Sequence, residues 1–114
     1  MATACTTPGC KSPVPAELEG ASQCVLHFTQ KVERTCWELR LEVARGTASS
    51  ARHNELADFV ADQGELLARV GTRTPHLSDE LQSRILATFL TLMNLHERVE
   101  HAAGRRAAIS AADV

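Results

Sequence analysis

Apolar positions fall into three stretches with helical spacing, separated by short polar connections. Phe28, Val32, Cys36, Leu39 and Val43 recur at intervals of four and three, which is one face of a helix over about 27–45. Gly46 follows as its stop. Leu56, Phe59, Val60, Leu66, Leu67 and Val70 form a narrower stripe and predict a second helix over about 51–70. Thr47, Ser49 and Ser50 supply N-cap candidates, and Gly71 is the expected end. Ser78, followed by Asp79 and Glu80 in a first turn that suits the helix dipole, opens a third helix over about 78–103, with Gly104 as its stop. Its apolar residues, from Leu81 to Val99, cover more than half the circumference at 100° per residue, wider than a peripheral helix of a bundle needs. The third helix is therefore either the central element or part of a dimer seam, to which Phe89, Met93 and His96 would contribute. The predicted fold is mainly α: an N-terminal segment over 1–27, a three-helix bundle over 28–104 running up-down-up, and a frayed Ala-rich tail over 105–114.

Two secondary patterns carry alternative readings. Trp37, Leu41 and Ala44 form a smaller stripe on the first helix, away from its main apolar face. Either the linker or another helix covers the tryptophan, or it anchors a binding or dimer patch. Ala57, Ala61, Gly64 and Ala68 form a ladder of small residues on the second helix. It is either chance in an Ala-rich chain or a place where another helix approaches closely, which would explain a glycine in a helix interior.

The segment before the helices has different chemistry. It contains Cys5-x4-Cys10-x13-Cys24-x2-His27, three of the chain's four cysteines and an imidazole. Cys3His is a common structural zinc set, and each pair is close enough for one turn to deliver two ligands. Pro8-Gly9 suits a type II turn that reverses the chain as Cys10 is presented. Cys24 and His27, about one helical turn apart, can both project from the start of a helix, whose partial positive charge offsets the net negative charge of three thiolates on a divalent ion. The competing reading is a disulfide pair. The first residues lack the apolar run of a signal peptide, which predicts a cytoplasmic protein with reduced thiols. Cys36 reads as a small core residue. His53 and His76 read as surface residues.

Cys5-x-x-Pro8-Gly9-Cys10, a following Pro13 and Cys24-x-x-His27 resemble a small zinc motif of bacterial and phage proteins, which occurs alone in uncharacterised proteins and beside HNH-type nucleases. The resemblance covers about residues 5–28, with a linker on the long side. It implies a structural zinc held by Cys5, Cys10, Cys24 and His27. No His-Asn-His cluster follows, so the nuclease chemistry does not carry over.

Composition narrows the function classes. The net charge of −2, with both signs mixed along the chain, argues against a strong electrostatic grip on nucleic acid. No apolar run approaches the ~20 residues of a membrane span. Four protein ligands leave the zinc no open position, and no nucleophile elbow, phosphate loop or paired carboxylates stand out, which points away from an enzyme. The expectation is a zinc-stabilised helical protein that works as a protein-interaction or regulatory module, with a homodimer as one form of that. A nucleic-acid-binding regulator using the zinc motif is the alternative.

Overall fold

The computed structural model describes residues 4–46 and 49–112, with side chains as far as His101. Thr47 lies outside the described residues. A Cys/His segment and a short 3-10 turn, Ala16–Leu18, lead into three helices: α1 Val25–Arg45, α2 Ser50–Arg73 and α3 Asp79–Ala112. Among the described residues there is no strand, only an isolated antiparallel bridge between Ala4 and Pro13. The chain is a helical bundle with its Cys/His segment at the N-terminal end.

α3 is the central element. It packs extensively on α2 and also on α1, while α1 and α2 meet only sparingly. This accounts for its wide apolar arc: Ile85, Leu92, Leu95 and Val99 are buried in a core shared with Phe28, Val32 and Leu39 of α1 and Leu56, Val60, Leu67 and Val70 of α2. Leu18, fully buried, belongs to the 3-10 turn that packs on α2, and Val14 is buried with it. The two linker side chains thus close one end of the bundle.

The helix starts follow their capping residues. Ser49 accepts a hydrogen bond from the Arg52 amide at 3.1 Å, and Ser78 accepts one from Leu81 at 3.2 Å. Gly46 ends α1 in the left-handed conformation, φ 66°. The other ends correct the sequence reading. α1 begins at Val25 rather than His27, because Cys24 is its N-cap. α2 runs past Gly71 to Arg73. Gly71 sits against α3, where an added Cβ would meet Ile85 at 3.3 Å. The helix stops at Thr74, which is held extended (ψ 118°) by the proline after it. α3 continues through Gly104 to Ala112. One glycine costs about 1 kcal/mol in a helix, and the flanking alanines and arginines favour continuation, so 105–112 is helix rather than a frayed tail.

Glu42 and Arg52 join the end of α1 to the start of α2 through a two-pronged ion pair at 2.9 and 3.1 Å. Arg84 reaches from α3 to Glu33 on α1. His53 is a further correction: it is buried, and its Nδ1 has no hydrogen-bond partner among the described residues. Residue 53 is one turn into α2 and lies on the same face as Leu56 and Val60, so helical phase carries it inward.

Candidate metal centre

The segment before α1 folds back on itself in two places. Thr7-Pro8-Gly9-Cys10 is a turn closed by the Cys10 amide donating to the Thr7 carbonyl at 3.0 Å, with Gly9 at φ 79°. Proline at the first corner and a positive φ at the second are the type II pattern. The Cys5 amide donates to the Ser12 carbonyl at 3.1 Å, so Cys5 and Cys10 flank one small loop. The second reversal brings this loop to α1. Ser22 adopts φ 56°, a costly left-handed conformation for a residue with a side chain. Its carbonyl accepts from both the amide and the hydroxyl of Thr6 at 3.0 Å.

Cys24 and His27 occupy the N-cap and the third helical position of α1. These positions normally carry a capping box, a Ser or Thr and a Glu whose side chains converge on the first turn. Here a thiol and an imidazole take the same places, and their donor atoms meet each other at 3.3 Å. Cys24 makes no side-chain cap bond of its own. Its sulfur is free to face the ligand cluster.

The four donor atoms of Cys5, Cys10, Cys24 and His27 lie within 4.8 Å of one another. Both Cys5 Sγ and Cys24 Sγ are 3.3 Å from His27 Nδ1, and Cys10 Sγ is 3.9 Å from Cys24 Sγ. Tetrahedral coordination with metal–sulfur bonds of about 2.3 Å and metal–nitrogen bonds of about 2.05 Å requires sulfur–sulfur separations near 3.8 Å and sulfur–nitrogen separations near 3.5 Å. The observed spacings fit. They do not fit a disulfide, whose sulfurs lie about 2.05 Å apart, and all four cysteines are free thiols. The cluster can hold a metal ion, and it is the one such cluster among the described residues.

The electrostatics are uneven. Burial pushes the Cys5 thiol up, but hydrogen bonds from the Thr7 side chain, the Cys24 and Thr7 backbone and His27 outweigh it and bring it down to about 5. Cys24 moves the other way, raised chiefly by burial and then by the neighbouring Cys5 and Cys10 sulfurs. Cys5 is thus biased toward the thiolate form, and an ion held here would displace the Cys24 proton to solvent.

The remaining sequence candidates are dispersed. Trp37 is 63% exposed, and Leu41 and Ala44 are exposed beside it, so no linker or helix among the described residues covers them. Trp37 stands at the edge of a shallow groove of about 210 Å³ between α1 and α3, whose floor includes the buried Cys36. Phe89 and Met93 lie against Gly64 of α2, within this chain, although Met93 keeps part of its surface exposed. His96 is half-buried, with its Nε2 3.4 Å from Glu100. Sequence reasoning missed Leu86 and Leu90 as exposed side chains. The excess width of the third helix's apolar arc was the signal that pointed to them. No helix among the described residues is long and apolar enough to cross a membrane. No family model, no curated protein and no solved structure matches the chain.

Proposed function

We propose that this chain is a zinc-stabilised helical module that acts by binding another protein in a reducing, cytoplasmic compartment, and not as an enzyme. The observation that carries the reading is the tetrahedral spacing of three sulfurs and one imidazole nitrogen. Thiolates with an imidazole in tetrahedral array select zinc over the hard cations, which prefer oxygen. Four protein donors fill the coordination sphere and leave none for water or substrate, so the ion's role is structural. It fastens the loop of Cys5 and Cys10 onto the first turn of α1, a region with few large apolar side chains to hold it otherwise.

Binding rather than catalysis is supported by the surface. Trp37, Leu86 and Leu90 expose more than half their area, unusual for large apolar residues in a small bundle. A protein partner suits these surfaces better than nucleic acid does, because the net charge is negative. The test is affinity capture of the tagged chain from its own host's lysate, run beside Trp37→Ala and Leu90→Glu. A partner retained by the native chain and lost with one of the variants supports the reading. A metal-dependent turnover that survives both variants would overturn it.

A further inference from the structure

The candidate metal centre leaves the outer face of α1 without a use. Trp37, Leu41 and Ala44 are all exposed there, at spacings of four and three residues. α1 and α3 run the same way beside it. Leu26 lies across from Leu81, Glu33 pairs with Arg84, and Arg40 lines a groove with Thr91. That groove, about 210 Å³, has Trp37 and Arg40 on one wall and the short side chains of Ala87 and Thr91 on the other.

The charges of this face are one-sided. Arg34, Arg40 and Arg45 are exposed and form no ion pair among the described residues. Two of the three carboxylates of α1 are already neutralised from neighbouring helices, Glu33 by Arg84 and Glu42 by Arg52. The third, Glu38, lies about 160° round the helix from Arg40, on a flank with Lys31. On α3, Ala87, Thr91 and Asn94 bring no charge to this side, and exposed Arg98, on the same face as Thr91, adds a cation past the end of α1. Glu97 and Glu100 are turned about 100° or more away from that face. Glu80 stands at the start of α3, beside Leu26 rather than Trp37. The face is thus positive in a chain whose net charge is −2.

We infer that the outer face of α1 docks an acidic amphipathic helix of another protein, its apolar side chains on Trp37 and Leu41 and its carboxylates against Arg34, Arg40 and Arg45. The inference rests on the interaction-module reading and specifies its partner. Tryptophan and arginine are the side chains that most often anchor protein interfaces. The valley between two parallel helices accepts a third by ridge-into-groove packing, and the arginines set the sign of the partner's border. Single-stranded nucleic acid would also stack on Trp37. Leu41 and Ala44 offer nothing to a base or a phosphate, however, and the exposed row Glu55, Asp58, Asp62 and Glu65 on α2 repels a long polyanion. A second copy could bring that acidic row, but the outer faces of α1 and α2 point away from the core in different directions. Pairing one with the other links copies head to tail, without two-fold closure.

Trp37 is the chain's single tryptophan, so its fluorescence reports on this face. The test titrates two synthetic helices with an identical leucine stripe, one bordered by Glu and the other by Lys, and a single-stranded oligonucleotide. The protein is first shown to retain its metal and its helical circular dichroism. The acidic helix binds with micromolar affinity, weakened by salt, and shifts the Trp37 emission to the blue; the basic helix binds roughly tenfold or more weaker. Arg40→Glu and, read by calorimetry, Trp37→Ala each lower affinity for the acidic helix roughly tenfold or more. Both positions are exposed, so neither change disturbs the core. Equal affinity for the two helices overturns the assignment, as does tighter binding of the oligonucleotide or binding that leaves the Trp37 emission unmoved. No binding by any probe overturns it too, while the interaction-module reading is judged separately by the capture experiment. A concentration-dependent doubling of mass, abolished by Trp37→Ala, also overturns it and makes a second copy the occupant.

Discussion

At the scale of single residues, the candidate metal centre depends on where two side chains fall at the start of one helix. Cys24 at the N-cap and His27 three positions on converge because that is the geometry of a helix's first turn. Replacing His27 with Ala leaves three thiols and an open position, and zinc affinity falls on the order of a hundredfold or more. Competition with a chromophoric chelator checks this; unchanged affinity would remove His27 from the ligand set. The thiols give the pH dependence its sign. Cys24 is held above the ordinary thiol range and Cys5 is brought down to about 5. A zinc ion must displace the Cys24 proton near neutrality, so affinity declines as pH falls from 8. It declines more steeply as pH passes through about 5 and Cys5 protonates as well. Affinity that is flat between pH 8 and 5 would contradict these assignments. Gly64 makes a different kind of prediction. A Cβ there meets the flexible end of Met93 at 3.1 Å. Gly64→Ala therefore gains about 0.5–1 kcal/mol of helix propensity as Met93 shifts, whereas Gly64→Leu overfills the seam and costs about 1–3 kcal/mol. Urea melts of the two variants distinguish the cases.

At the scale of elements, the helices stand or fall by caps and buried faces. Ser49→Ala removes the acceptor for the Arg52 amide and costs about 1 kcal/mol, read as a lower unfolding midpoint with an unchanged slope. Leu67→Ala, at a fully buried α2 position facing the core, costs about 2–5 kcal/mol. Much of this organisation was legible in the sequence. The intervals between Phe28 and Val43 gave the buried face of α1, Gly46 its stop, and Ser78 the start of α3. The clustering of Cys5, Cys10, Cys24 and His27 was legible as well, because each pair is local. Glycine as punctuation was read too simply. Gly46 ends a helix because it takes a positive φ, while Gly71 stays helical where α3 presses on it. Periodicity also could not say which half of α3's arc faced inward, since that depends on where the other two helices lie. His53 was read as surface from its place near a helix start, where phase rather than position decided its burial.

At the scale of the molecule, the parts divide the work. The bundle core lies where α3 meets α1 and α2, and the N-terminal segment adds Val14, Leu18, Ala21 and the cysteines of the cluster to it. That segment has local hydrogen bonds, one strained residue at Ser22 and a cluster of donors spaced for an ion. Metal removal is therefore expected to loosen the segment before it unfolds the helices. Amide exchange across residues 5–24 should speed up by orders of magnitude, while amides around Leu92 and Leu95 keep most of their protection. The exposed apolar side chains, Trp37 on α1 and Leu86 and Leu90 on α3, lie outside that stabilising machinery. The central claim, that a tetrahedral ion joins the N-terminal loop to α1, is tested most directly by X-ray absorption at the zinc edge on protein purified without chelator. The account predicts one zinc per chain, with three sulfurs at about 2.3 Å and one nitrogen at about 2.05 Å. A metal-free protein, or a zinc with oxygen ligands in place of any of these four, would contradict it.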